Sequence, residues 1–154
     1  MRLLLGFMCL FFCMQVSAHV TSDLNTPVGY WKTIDDVTHQ PKSIIHITEG
    51  KDHTLTGQIL KIWPKPGKDE HEVCDQCRGA KHNQPIVGMV ILTGLKQDAA
   101  NHWDDGDILD PNNGKTYSCS MTVEKEGASL AVRGYIVFSV LGRSQTWLRV
   151  MGPR

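Results

Sequence analysis

Alternation of apolar and polar residues is the dominant pattern along this chain. From Val28 onward, segments of strand length rich in β-branched and aromatic residues each end in Gly, Pro, Asn or Asp. This predicts eight strands, over residues 28–34, 42–48, 54–63, 86–96, 102–109, 115–125, 129–138 and 143–150. Successive strand side chains point to opposite faces. In the sixth strand that separates Tyr117, Cys119, Met121 and Val123 from Thr116, Ser118, Ser120 and Thr122. In the seventh it separates Leu130, Val132, Gly134, Ile136 and Phe138 from Ala131, Arg133, Tyr135 and Val137. No window carries an apolar i, i+3, i+4, i+7 stripe over three turns, so helix is limited to about one turn within residues 69–82. Eight consecutive antiparallel strands close most economically into an up-and-down barrel, because closure removes exposed edges. A sandwich is the alternative.

The first residues read differently. Arg2 precedes an apolar run over residues 3–14 and then Val16-Ser17-Ala18, the order of a secretory signal with cleavage after Ala18. The run is too short for a spanning helix, and Leu10-Phe11-Phe12 before Cys13 lacks the small residues of a lipid-attachment site. The expected organisation is a cleaved signal at 1–18, a polar flexible leader at 19–27 and one barrel domain at 28–154. Export to the periplasm or the cell exterior follows, with no integral membrane segment left after cleavage. The whole chain has 154 residues, 16 Lys+Arg against 16 Asp+Glu and 41% hydrophobic residues. That suits one domain with a real core. It removes the basic excess that a nucleic-acid binder needs. A monomer is expected.

The long connection at 64–85 is the first place to look for chemistry, since loops of this length in compact domains are often functional or lid-like. It holds Cys74-Asp75-Gln76-Cys77. In an oxidising compartment a disulfide is the leading reading, either Cys74–Cys77 or one that joins Cys119 to the loop across the barrel mouth. A redox dithiol would need a helix N-terminus that the pattern does not supply. His71, Cys74, Cys77 and His82 offer two nitrogen and two sulfur ligands, a set that suits tetrahedral zinc. Cys119, beside Tyr117 and Met121, reads by default as a buried unreactive thiol.

Other candidates carry less. Asp104, Asp105, Asp107 and Asp110 lack the order of a calcium loop and read as a solvated turn. Gly114-Lys115-Thr116 has Leu109 where a phosphate loop needs Gly. No G-x-S-x-G or H-E-x-x-H is present, so no hydrolase or zinc-protease machinery is expected. His46, Arg133, Tyr135 and Trp147 are candidates to face a ligand inside the barrel, subject to register. Trp31, Trp63, Trp103, Trp147 and Tyr135 could instead fill the interior.

Gly29-Tyr30-Trp31 at the start of the first strand and Arg149 near the end of the last resemble the lipocalin and calycin pattern, in which Trp closes one barrel end beneath an Arg. Gly29, Trp31 and Arg149 are the closure residues this implies. A guanidinium over an indole face is a favourable cation–π contact. A closer likeness runs from Gly29 to Val150. The segments GYWKTIDD, PKSIIHI, IWPKPGKD, VCDQCRGAKHNQPIVGM, ILDPNNGKTYSC and VRGYIVFSVLGRSQTW resemble the small secreted bacterial family known as domain of unknown function 2147. The resemblance implies a lipocalin-like barrel with no established activity, no assigned catalytic residues and no cofactor. The expected function is non-enzymatic binding of a small apolar or amphiphilic ligand. The alternative is an envelope interaction module with a filled core and a cysteine-bearing contact loop.

Overall fold

A computed structural model describes residues 24–64, 66–69, 71–136 and 141–152. The signal at 1–18, its cleavage after Ala18 and the leader up to residue 23 lie outside the described residues. The alternating segments form β1 (Gly29–Ile34), β2 (Pro41–Glu49), β3 (Leu55–Ile62), β4 (Val90–Ala99), β5 (His102–Asp110), β6 (Lys115–Glu124), β7 (Ser129–Tyr135) and β8 (Gly142–Val150). They close into an antiparallel barrel in chain order. The seam is Tyr30↔Val150, Trp31↔Arg149 and Lys32↔Leu148 between β1 and β8. Among the described residues, helix is confined to short 3-10 turns at Gly79–Lys81 and Lys125–Gly127.

β4 begins four residues later than the sequence pattern suggests. The Ile86 amide donates to the Glu72 carbonyl at 2.9 Å, which pairs this residue with the preceding loop. Gly88, at φ +91°, turns the chain so that its own amide reaches the Ile59 carbonyl at 2.7 Å. Only then does the regular ladder start.

One face of each strand supplies the core, which contains Trp31, Ile45, Ile47, Leu55, Ile59, Leu92, Leu95, Trp103, Cys119, Met121, Leu130, Val132 and Trp147. A bulge keeps β5 in phase. Trp103 pairs with Met121 and Gly106 with Cys119, so Asp104 and Asp105 together oppose one residue of β6, and Asp105 takes φ +60°. Glycines make room for the packing: a Cβ on Gly57 would lie 2.7 Å from Leu92 Cδ1. Of the aromatic residues expected to fill the barrel, Trp31, Trp103 and Trp147 are buried. Trp63 is 38% exposed because it follows the last residue of β3. Tyr135 is also not an interior residue. It alternates with buried Val132 and with Gly134, and its hydroxyl donates to Asp104 Oδ1 at 2.9 Å.

Leu95 is fully buried, whereas Leu148 on β8 is 39% exposed. Leu95→Ala is therefore expected to lower unfolding free energy by about 3 kcal/mol. Leu148→Ala should change it by less than about 1 kcal/mol. Urea denaturation of the two variants checks the face assignment, and equal losses would contradict it.

Candidate functional site

The two ends of the barrel are built differently. At the floor, Trp31 is fully buried and the Arg149 guanidinium carbon lies 4.2 Å from its ring centroid. The same guanidinium donates through Nε to the Gly127 carbonyl at 2.5 Å and through Nη1 to the Val28 carbonyl at 3.0 Å. Nη2 donates to the carbonyls of Leu24 and Thr26 at 3.1 and 2.5 Å. Trp31 Nε1 donates to the Pro27 carbonyl at 2.7 Å. Gly29 adopts φ +133°, and a Cβ there would sit 2.9 Å from Arg149 Nη1, so glycine leaves the space the guanidinium occupies. Burial lowers the Arg149 pKa from its ordinary value. A guanidinium nonetheless stays charged in proteins. The end of the leader contributes backbone acceptors to this floor: the carbonyls of Leu24, Thr26 and Pro27 accept from Arg149 or Trp31.

At the mouth, the loop between β3 and β4 is tied by a Cys74–Cys77 disulfide, with Cα atoms 5.3 Å apart. Both sulfurs are buried. Val73 and Pro85 form a bridge, flanked by bonds from the Cys74 amide to the Gln84 carbonyl and from the Asn83 amide to the Cys74 carbonyl, each 2.9 Å. The tied loop docks on the β4–β5–β6 side of the barrel. Leu109 is buried although it alternates with the interior residue Ile108, and Cys74 Sγ lies 3.3 Å from the Pro111 carbonyl oxygen. Gly114, at φ +66°, touches the Gln76 carbonyl so closely that any Cβ would overlap it. Lys81 Nζ donates to the Val90 carbonyl at 3.0 Å.

This geometry corrects two readings. The disulfide leaves Cys74 and Cys77 without thiolates, so His71, Cys74, Cys77 and His82 do not make a zinc set. His82 Nδ1 lies 3.0 Å from the Cys77 carbonyl, and the His71 amide donates to Asp69 Oδ1 at 2.8 Å. Among the described residues no group of His, Cys, Asp or Glu is arranged to hold a metal. Cys119 does not join the loop. It is buried inside the barrel, where desolvation first, and then Asp104 and Asp107, push its pKa from 9.0 up to about 12.

Of the ligand-facing candidates, only Trp147 points inward, its indole Nε1 donating to Gln145 Oε1 at 3.2 Å. His46 lies between buried Ile45 and Ile47 on the opposite face and stacks on Tyr30, with ring centroids 4.3 Å apart. Arg133 donates to Ser144 Oγ at 3.1 Å, on the same outer face as Tyr135. Sequence reasoning missed Asp36, which pairs with Arg143 and accepts from Gln145 Nε2 at 3.1 Å, linking the β1–β2 turn to β8. It also missed a surface cleft of about 450 Å³ at the floor end, lined by Glu49, Asp52, His53 and Lys96. Neither feature has a short sequence signature, because each joins turns distant in the chain.

A closed eight-stranded antiparallel barrel with a Trp floor under an Arg from the last strand is a lipocalin-like fold. Among solved structures, the chain is similar to protein HP1028 from the human pathogen Helicobacter pylori, described as belonging to the lipocalin family. The TM-score is 0.68 at 17% identity, over 80% of this chain and 82% of that one. Residues 29–149 match the family model described as an uncharacterized protein conserved in bacteria (DUF2147), and the chain belongs to that family. No curated protein matches it. No helix among the described residues is long and apolar enough to cross a membrane.

Removing the Arg149 head while keeping its stem, in Arg149→Met, is expected to destabilise the fold by about 2 kcal/mol, since it removes the cation–π contact and orphans several carbonyls. An unchanged melting curve would contradict this role. For Cys119 the folded pKa is raised, so its contribution to stability is complete below about pH 9 and is lost as pH rises toward about 12. Stability should therefore fall more steeply with pH in that window for the protein than for Cys119→Ala. The difference in slope should be up to about 1.4 kcal/mol per pH unit, measured by denaturation at each pH.

Proposed function

We propose that the protein is an exported, non-enzymatic interaction module, built as a lipocalin-like barrel whose interior is occupied by its own side chains. The observation that carries this reading is the core itself. Trp31, Trp103, Met121 and Trp147, with Leu92 and Leu95 on β4, form one contiguous buried cluster. Barrels of eight strands are just wide enough for side chains to fill. Recognition then falls to the outer surface and the mouth, where the disulfide holds a shaped loop against the β5–β6 turn. Export is supported by the signal-like order of residues 1–18 and by the disulfide, which persists in oxidising compartments.

A second reading, binding of a small amphiphile, is favoured by one feature of the mouth. Ile62 and Ile108 are only partly buried there, near a polar pair in which Thr33 and Ser43 hydroxyls lie 2.7 Å apart. A ligand would sit in the shallow mouth and not in a deep calyx.

Native mass spectrometry of protein extracted from its source cell, paired with titration of a fluorescent fatty-acid probe, separates the two. A filled barrel gives a mass without adduct and no saturable probe binding. A stoichiometric lipid-sized adduct that the probe displaces would overturn the filled-barrel reading and support the second.

A further inference from the structure

The cysteine ring meets the barrel through its sulfurs and its backbone. Cys74 and Cys77 are buried and belong to the same apolar cluster as Leu109 on β5, while Asp75 and Gln76 between them are exposed. What touches the β5–β6 turn is the peptide backbone. A Cβ on Gly114 would overlap the Gln76 carbonyl and lie 2.7 Å from the Cys77 amide nitrogen. A contact made backbone to backbone has no side chain that can rotate to absorb a misfit, so it forms in one arrangement of the ring or is lost.

The two ends of the ring are held differently. Cys74 sits in the bridged segment, its amide donating to the Gln84 carbonyl and its carbonyl accepting from the Asn83 amide, each at 2.9 Å. Cys77 is placed by its bond to Cys74 and by His82, whose Nδ1 lies 3.0 Å from the Cys77 carbonyl oxygen. Breaking the sulfur bond leaves the anchors of Cys74 intact and frees the Gln76–Cys77 side, which is the side seated on Gly114.

The barrel itself does not depend on this bond. Its ladders join all eight strands without the loop, and Arg149 seals the opposite end. Cys119, the free cysteine among the described residues, is buried inside the barrel. Its thiol, pushed up to about 12 chiefly by burial, stays protonated and does not exchange into the pair.

We infer that the Cys74–Cys77 disulfide is a redox switch coupled to the seat on Gly114: a dithiol reductant opens the ring and undocks the Gln76–Cys77 segment, and reoxidation seats it again. What the switch controls rests on the reading of this loop as a contact surface, present in the oxidised protein and withdrawn in the reduced one. In the exchange, one thiolate of the dithiol attacks a cysteine sulfur, forms a mixed disulfide and releases the other cysteine as a thiolate, which takes up a proton. The second thiol of the reductant then attacks its partner sulfur in that mixed disulfide, leaves as a cyclic disulfide and releases the second cysteine thiol. Two electrons and two protons pass from the dithiol to the pair. Because both sulfurs are buried, attack waits until the ring lifts from its seat, so the rate of reduction follows the undocked population.

The test is reduction by dithiothreitol under native conditions, timed by alkylation and peptide mapping of Cys74 and Cys77. Amide NMR follows the same protein. Neither measurement needs a partner or ligand, so the outcome is independent of whether the loop is a contact surface. Gly114→Ala, whose Cβ overlaps the seated ring, should be reduced faster than the native protein by about tenfold or more, the factor that an overpacked contact costs. Reduction should move the Gly114 and Gln76 amide signals, and reoxidation should restore them, while the Trp31 indole signal stays in place. Cys74→Ala/Cys77→Ala should show the reduced positions permanently. That double variant leaves the β5–β6 turn untouched, so it tests the release even where Gly114→Ala loses its fold. Equal reduction rates in the native protein and a folded Gly114→Ala would overturn the inference. So would a Gly114 signal indifferent to reduction and to the double variant, or loss of the Trp31 signal on reduction, which would make the bond a support of the whole barrel.

Discussion

The contact on which the rest of the barrel depends is that between Trp31 and Arg149. It lies at the seam where β1 meets β8, so the same pair that plugs the floor also sits beside the last ladder to close. A guanidinium stacked on an indole is attracted to the ring face, but it is stable away from water only if its N–H groups also find acceptors. Here they find them in Leu24, Thr26, Val28 and Gly127 carbonyls. One side chain therefore gathers the leader, the start of β1, the β6–β7 turn and β8. Gly29 is what allows the guanidinium to approach the backbone so closely.

At the other end the constraint is covalent and local. The span between β3 and β4 has few strand contacts of its own, and the disulfide closes a small ring within it. The ring matters less for the entropy it removes than for the shape it holds. With the cysteines tied, their buried side chains join the cluster that contains Leu109, and the Gln76 backbone fits against Gly114. The part of the loop around the cysteines, lid-like in sequence, is in the structure bonded to itself and packed on the β5–β6 turn.

Much of the barrel was legible because strand alternation and turn residues are local signals. The faces of β6 and β7 follow directly from residues such as Met121, Val123, Leu130 and Val132. Less of the site was. Arg133 and Tyr135 belong to the polar face of β7, and reading them as ligand contacts required that face to turn inward, against the apolar residues beside them. His46 fails for the same reason. The leader gave no warning of its role because it contributes backbone carbonyls, which leave no mark in side-chain chemistry. The docking of the cysteine loop, and the pairing of Asp36 with Arg143, depend on which turns the closed barrel brings together, and spacing along the chain does not encode that.

The floor clasp is tested most directly by hydrogen exchange of the four indole Nε1–H groups followed by NMR. If Trp31 is sealed between the barrel and Arg149, its indole proton, bonded to the Pro27 carbonyl at 2.7 Å, exchanges only through global unfolding. Under the same conditions that of exposed Trp63 exchanges freely. Exchange of the Trp31 proton at the rate of Trp63 would contradict a closed floor.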